Sequence, residues 1–491
     1  MSPLGVLDRS RTIAGPGFNR WLIPPAALAV HLCIGQVYAT SVYKTALVEH
    51  FGTSQTAIGV IFSVAIVMLG LSAAIFGTWV DTNGPRKAMV ASAACWVTGF
   101  LVGSLGIFTG QLWLLYLGYG VIGGIGLGIG YISPVSTLIK WFPDRPGLAT
   151  GMAIMGFGGG ALIASPLSTA LLKLYDPASG SGTPSGDAVG KLFLTFAVLH
   201  LAYMLFGAFT IRVPADGWRP AGFDPATVKA KALVTDAHVS ANNAIRTRPF
   251  WLLWIVLFCN VTAGIGILEQ AAPMIQDFFR QPDGHSLVSA AVAGGFVGLL
   301  SIGNMAGRFV WSTTSDYIGR KRIYLVYLGV GAVLYVVLAT VGSAATLLFV
   351  LLAFVILSFY GGGFATAPAY LRDLFGTFQV GAIHGRLLTA WSAAGVAGPL
   401  IVNGVLDARG KPGTLDAGAY QPALFVMVGL LVVGFVANLL VRSVDPRYHE
   451  PRRGAGTATG TRTGREGASA VAAADAGPAT ATTTRTAAEE A

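Results

Sequence analysis

An arginine stands inside an apolar stretch of the chain, in the segment GNMAGRFVW (303–311). Arg308 and Asn304 are four residues apart, so on a helix they share one face. A guanidinium that faces a buried cavity would bind a carboxylate in bidentate geometry. Arg308 also precedes Asp316 of a charged loop by about 12 Å of helix, against a membrane half-thickness of about 15 Å. The alternative is that its side chain only extends to the lipid headgroups.

Two titratable residues in other apolar stretches are candidates for carrying a proton. His384 ordinarily titrates near neutrality, so it is predicted to bind substrate or relay a proton, with a packed, hydrogen-bonded histidine as the alternative. Glu269 is a carboxylate within an apolar run. Its two alternative roles are proton coupling and a hydrogen bond at an outer gate. Helix rise places it about 16 Å from Arg308, so no direct ion pair is expected. Core packing is favoured for His31 and His200.

These residues belong to a chain with the composition of a membrane protein. Of its 491 residues, 54% are hydrophobic and 11% charged, whereas a soluble protein carries about 25% charged residues. Twelve apolar runs are each long enough to cross a bilayer. The predicted fold class is an all-α integral membrane protein, with twelve transmembrane helices in two six-helix repeats around a central cavity. Cys33, Cys95 and Cys259 are predicted to pack between helices, and neither a metal nor a cofactor is expected.

The predicted organisation has five parts along the chain. Residues 1–20 and 443–491 are tails, and the second is predicted to be disordered from about residue 452. Residues 21–212 and 250–442 are the two six-helix halves, joined by a linker at 213–249. Lys and Arg concentrate in the tails, the linker and alternate loops. This bias predicts that both termini lie in the cytoplasm, beneath a bacterial inner (plasma) membrane.

The two predicted halves carry the same loop motif. GTWVDTNGPRK (77–87) follows the second apolar run and STTSDYIGRKR (312–322) follows the eighth, and their aspartates are 235 residues apart. A glycine at a helix end, an aspartate and a basic cluster suit a movable joint between halves. The conformational-gate residues predicted from the two copies are Gly77, Asp81, Gly84, Arg86, Asp316, Gly319 and Arg320.

The repeat is broken at the arginine described above. The positions in the first half that match Arg308 and Asn304 are occupied by Ala73 and Leu69. The repeated architecture therefore does not require polar groups there, and a substrate role for Arg308 and Asn304 is favoured.

The loop motif resembles the signature of the major facilitator superfamily. WFPDRPGLATG (141–151), FGTFQVGAIHGRLLTAWS (375–392) and GQVYATSVY (35–43), taken with the Arg308 segment, are similar to the oxalate/formate antiporter family, which includes proton-coupled lactate and pyruvate carriers. The resemblance implies that Arg308 binds the substrate in a pocket framed by aromatic side chains. The residues implied for this frame are Tyr38, Tyr131, Tyr360, Phe364 and Trp391.

Trp391 stands where oxalate-exchanging members of that family carry a lysine. One cation suits one carboxylate, because the second charge of a dianion would be poorly matched in a low-dielectric site. A monocarboxylate is therefore preferred to oxalate, unless His384 or Arg386 supplies a second positive charge.

The sequence thus predicts a secondary transporter that moves a small monocarboxylate such as lactate, pyruvate or formate by alternating access, with proton symport preferred. An oxalate/formate-type antiporter and a transporter-like sensor are the alternatives. The chain has no HExxH, GxSxG or Walker motif, so neither enzyme activity nor ATP-driven pumping is expected. The predicted partners are the carboxylate, protons and the lipid bilayer, without nucleic acid, and the functional unit is predicted to be a monomer.

Overall fold

The computed structural model describes residues 3–179, 183–223, 233–235, 237–410 and 415–451, except for the side chains of residues 3–4, 55–56, 269 and 290–291. Within these ranges the chain is helical, and its β pairing is limited to three isolated bridges. The all-α fold predicted from the sequence is confirmed, while the tail from residue 452 lies outside the described ranges. The helices are α1 (Ile23–Ile34), α2 (Ser41–Phe51), α3 (Gln55–Asn83), α4 (Pro85–Phe108), α5 (Leu112–Leu115), α6 (Gly124–Trp141), α7 (Pro146–Tyr175), α8 (Gly186–Thr210), α9 (Ala241–Ala244), α10 (Arg248–Phe278), α11 (Ala290–Ile318), α12 (Arg320–Leu325), α13 (Gly331–Val341), α14 (Thr346–Phe375), α15 (Val380–Leu387), α16 (Thr389–Asp407) and α17 (Ala417–Leu440).

The long helical segments match the apolar runs of the sequence. Eleven segments of the described chain are long and apolar enough to cross a membrane, from Arg20–Ala39 to Ala417–Leu440. The remaining run is α11, which is 29 residues long. Its interior includes Asn304 and Arg308, which lower its mean hydropathy. This helix carries the candidate arginine.

Four of the described membrane segments are interrupted along their length, two of them by π-helical stretches at Tyr116–Gly123 and Val326–Val330. The first membrane segment changes from α1 to a 3-10 turn at Gly35–Ala39 and resumes as α2. Gly35 packs so closely on the backbone of Phe157 that a Cβ atom would collide with it. Another segment is broken at Leu388, between α15 and α16. Such breaks are tolerated in a membrane where protein covers the freed backbone groups, and Tyr38 lies within the first of them.

The two six-helix halves meet through two sets of helices. Helix α7 of the first half packs against α11 of the second, and α3 packs against α15 and α16. A Cβ atom on Gly147 or Gly151 would collide with Ser312, and one on Gly77 with Ala382. Glycine at these positions therefore allows the backbones to approach closely, as is usual for helix packing in membranes.

The N-terminal segment, the described residues of the linker and residues 441–450 lie on one face of the bundle, which we term the terminal face. Ala14 donates its backbone N–H to the carbonyl of Val213 at 2.9 Å, just beyond the end of α8. Glu450, beyond the end of α17, donates in the same way to His238 of the linker at 2.7 Å. In each half, the stretch of chain before the first membrane segment is thus hydrogen-bonded to the stretch after the sixth membrane segment.

Candidate substrate-binding site

Arg308 is fully buried at the contact between the two halves. Its Nε donates to Oδ1 of Asn304 at 3.0 Å, as expected for two residues on one helix face. Its Nη1 donates to the carbonyl oxygen of Ile154 on α7 at 3.3 Å, whereas Nη2 has no hydrogen-bond partner among the described residues. The side chain therefore points into the protein, and the alternative in which it extends to the lipid headgroups does not match this geometry.

The guanidinium of Arg308 is surrounded by aromatic rings rather than by an anion. Its Cζ lies 5.2 Å from the ring centre of Phe364 and 5.9 Å from that of Phe157. None of the ion pairs between described residues includes Arg308. Burying a cation without an anion is costly, so an anionic ligand beside Nη2 would stabilise this arrangement.

The predicted aromatic frame comes together around the ring of Tyr131. The centre of this ring lies 5.9 Å from Phe364, 5.8 Å from His384 and 5.7 Å from Trp391. Phe364 and Trp391 pack edge to face at 4.5 Å. Phe157, which also contacts Tyr131 and Trp391, was not predicted from the sequence. Phe157 is the one aromatic residue in the glycine-rich run GFGGG (156–160). A single large ring among glycines could have been predicted to project into the site.

Five residues of the predicted site present buried polar atoms that have no hydrogen-bond partner in the described part of the chain. These atoms are Nη2 of Arg308, both ring nitrogens of His384, and the hydroxyl oxygens of Tyr38, Tyr131 and Tyr360. Because buried polar groups are nearly always hydrogen-bonded, their concentration here indicates where a polar ligand would bind.

The two histidines for which packing was expected have different surroundings. His31 stacks on Tyr131, with ring centres 5.3 Å apart and planes 16° from parallel, so it adjoins the candidate site. Its Nδ1 makes a short hydrogen bond with the carbonyl of Ala153, and its Nε2 lies 3.1 Å from the carbonyl of Tyr131. His200 belongs to another aromatic cluster, where Nε1 of Trp96 donates to its Nδ1 at 3.1 Å.

Two other predicted candidates are not brought to this site by described contacts. Glu269 lies on α10, and its side chain is outside the described residues. Arg386, the proposed source of a second charge, donates Nη2 to Oδ1 of Asn242 in the linker at 2.7 Å. Arg308 is therefore the cation around which the frame is assembled.

The first gate motif contacts the second half through Asp81. Its Oδ2 accepts a hydrogen bond from the backbone N–H of Ala382 on α15 at 2.8 Å, and Nζ of Lys140 lies 3.7 Å from Oδ1. Gly84 has a φ of 88°, which favours glycine. Arg86 instead bonds within its own half, donating to the carbonyl of Val6 at 2.8 Å.

The second gate motif contacts the first half through Asp316. Its two carboxylate oxygens accept the backbone N–H groups of Gly147 and Leu148, in the first turn of α7, at 2.8 and 2.9 Å. Arg320 donates to Asp316 at 2.5 Å and to Asp373 at 3.2 Å. Neither Lys140 nor Asp373 was predicted; the available signal was a charged residue near the end of each half's fourth membrane segment.

The profile of the Major Facilitator Superfamily matches residues 26–399 and 285–474. The chain belongs to the Major Facilitator Superfamily. This transporter is 26% identical to the oxalate:formate antiporter of Oxalobacter formigenes over 77% of its own chain and 83% of that relative. It is 25% identical to apicoplast pyruvate carrier 1 of Toxoplasma gondii, over 68% and 66% of the two chains. The family resemblance predicted from the loop motifs is thereby confirmed.

Solved structures bear out the fold of this transporter. The fucose:proton symporter of E. coli superposes with a TM-score of 0.61 at 15% identity, over 87% of this chain and all of that one. A bacterial homologue of ferroportin in an outward-facing state gives the same TM-score and identity, over 85% and 98% of the two chains. The protein is a multi-pass membrane transporter and not an enzyme.

Proposed function

We propose that this transporter carries a small monocarboxylate anion of the lactate, pyruvate or formate class. The observation that supports this most strongly is the buried guanidinium of Arg308, with two nitrogens bonded to Asn304 and Ile154 and Nη2 left over. A carboxylate at Nη2 would supply the missing counter-charge and form a charge-assisted hydrogen bond. The tyrosine hydroxyls of the frame are donors that would complete its coordination.

The preference for one negative charge follows from the same surroundings. Phe364 lies beside the guanidinium and packs on Trp391, and Arg386 is engaged with Asn242 instead of reaching the site. A dianion would place its second charge against these rings, which is unfavourable in a low-dielectric site. We therefore propose a monocarboxylate in preference to oxalate.

Alternating access follows from the position of Arg308 between the halves. Its hydrogen bond to Ile154 and both gate aspartates join the halves, so the terminal face is closed in this structure. We propose that the substrate binds from the opposite face, and that separation of α7 from α11 then opens the terminal face. On this proposal the terminal face is cytoplasmic, the membrane is a bacterial inner membrane, and the halves are residues 21–212 and 250–442.

Substitution of Arg308 by lysine tests the substrate assignment. Lysine keeps the charge but loses the planar, bidentate donor, so kcat/KM for uptake of labelled pyruvate into proteoliposomes should fall about 100-fold, equivalent to roughly 3 kcal/mol. Arg386→Lys is the matched control, because Arg386 also has an unpartnered nitrogen but lies outside the frame; its uptake should stay within about twofold of wild type. Wild-type KM and rate in Arg308→Lys would contradict the assignment.

Proton symport is the coupling that we propose, and exchange is the second candidate because of the similarity to the oxalate:formate antiporter. Two buried histidines that adjoin the site, His31 and His384, support symport. Proteoliposomes without internal anion and with an internal pH-sensitive dye separate the two. Symport predicts acidification when pyruvate is added outside, whereas an exchanger would leave the internal pH unchanged until an internal anion is supplied.

A further inference from the structure

The ring of Tyr131 lies between two buried histidines with opposite polar surroundings. His31 stacks on it at 5.3 Å and His384 lies 5.8 Å away. Neither ring nitrogen of His384 has a hydrogen-bond partner within the described ranges. Both ring nitrogens of His31 face backbone carbonyl oxygens, those of Ala153 and Tyr131. The ring nitrogens of His384 therefore make no described hydrogen bond, whereas each ring nitrogen of His31 faces a carbonyl oxygen that can accept one.

Carbonyl oxygens only accept hydrogen bonds, and this decides which protonation state suits His31. A neutral imidazole has one N–H, so it can satisfy one carbonyl and must turn the lone pair of its other nitrogen toward the second. An imidazolium has two N–H groups and donates to both. We propose that His31 carries the proton that is moved with the carboxylate, as an imidazolium bonded to Ala153 and Tyr131; this rests on the proposed function.

The charges that face His31 explain why its proton would depend on the substrate. The titratable or charged described residues directed toward it are Arg308 on α11, His384 on α15 and Tyr131 on α6. None of these three is an anion at neutral pH, and a protonated His31 would be repelled by Arg308. A carboxylate bound to Arg308 removes this repulsion, so substrate favours protonation of His31, and by linkage the proton favours substrate binding.

The backbone of α7 links the two groups directly. His31 bonds to the carbonyl of Ala153, and Nη1 of Arg308 donates to the next carbonyl, that of Ile154. Movement of α7 during transport would therefore act on both hydrogen bonds at once. A bound carboxylate with one bound proton leaves the net charge of the site as it is when empty, so loaded and empty carriers cross the same electrostatic barrier.

Isothermal titration of the full-length purified protein with pyruvate, in buffers of different ionisation enthalpy at pH 7, measures the protons taken up on binding. We expect about one proton per pyruvate for wild type and for His200→Gln, in which the replaced histidine lies outside the site, and none for His31→Gln, which should still bind pyruvate. The apparent Kd of wild type should rise about tenfold per pH unit where one proton is coupled, and that slope should vanish in His31→Gln. Undiminished proton uptake in His31→Gln, or loss of proton uptake in His200→Gln, would overturn the proposal.

A second measurement does not depend on folding of a His31 variant. In protein labelled at the Cε1 carbon of its seven histidines, pyruvate should shift one resonance to the imidazolium position, and this resonance should persist in His384→Gln. Its absence from His384→Gln would identify His384 as the proton carrier and overturn the proposal. Pyruvate binding by wild type without any proton uptake would overturn it while leaving carboxylate transport standing; absence of lactate, pyruvate and formate binding would overturn both.

Discussion

The two gates on the terminal face derive from copies of one loop, yet they hold the opposite half differently. Asp316 accepts hydrogen bonds from two backbone amides of α7 and pairs with Arg320 at 2.5 Å. Asp81 accepts from one amide of α15, and its cation, Lys140, is 3.7 Å away and partly exposed. The second gate therefore has more bonds and a buried ion pair, and it should resist opening more strongly.

The difference arises from the residue that follows the glycine of each motif. Arg320 follows Gly319 and lies one turn from Asp316, whereas Pro85 follows Gly84 and has no charge to offer. The first gate takes its cation from the end of α6, as Lys140, while the end of α14 carries Asp373 beside Arg320. The two copies have thus kept the aspartate that bonds to the other half and have changed its counter-charges.

The largest effect is expected from Arg320→Gln. The substitution leaves two buried carboxylates, Asp316 and Asp373, without their shared cation, and breaking a buried pair costs about 3–5 kcal/mol. The midpoint of thermal unfolding should fall by several degrees in a detergent melt, and uptake should fall at least tenfold (about 1.4 kcal/mol). Adding Asp373→Asn should recover part of the loss; a double variant no better than Arg320→Gln would show that the triad is not coupled.

Asp316→Asn and Asp81→Asn compare the gates directly. Asparagine keeps one acceptor oxygen and loses the charge, so Asp316→Asn gives up one of its two hydrogen bonds from backbone amides, whereas Asp81→Asn can keep its weakened bond from Ala382. A hydrogen bond to a charged group is worth about 1.5–3 kcal/mol, so Asp316→Asn should open the terminal face more than Asp81→Asn. Hydrogen exchange followed by mass spectrometry should show faster exchange at Gly147 and Leu148 in Asp316→Asn, and a smaller increase at Ala382 in Asp81→Asn. Equal increases would mean that the two gates have the same strength.

The smallest effect is expected from Lys140→Gln. An ion pair with a partly exposed lysine contributes about 0–1 kcal/mol, so uptake should change less than about fivefold and the melting midpoint hardly at all. The remaining difference from wild type should shrink between 0.05 and 0.5 M salt, since screening weakens exposed pairs. A salt-independent loss of tenfold or more (about 1.4 kcal/mol) would place Lys140 in a buried network like that of Arg320.

Much of this architecture could be predicted because local patterns in the sequence determine it. Apolar runs determine the membrane helices, and spacing along one helix places Asn304 beside Arg308. The contrast with Ala73 in the first half singles out the arginine. The partners from the other half could not be predicted in this way: the carbonyl of Ile154 and the ring of Phe157 meet Arg308 only through the packing of α7 on α11.

The helix breaks were also missed, for a related reason. Gly35–Ala39 and Leu388 interrupt stretches that read as continuous apolar runs. No proline marks either break, and tertiary packing stabilises a backbone that hydrophobicity alone does not distinguish from a regular helix. Sequence patterns therefore define the elements of the site, while their mutual register has to come from the structure.

The backbone hydrogen bonds from Ala14 to Val213 and from Glu450 to His238 attach one terminal segment to each half. Asp8 lies in the N-terminal segment, which is fixed to the first half by Arg86 and Val213, while Arg447 lies in the segment fixed to the second half through His238. Both side chains are exposed. Spectroscopic labels at these two positions would each move with one half as a rigid body, so the separation between them would track the opening of the terminal face during a transport cycle.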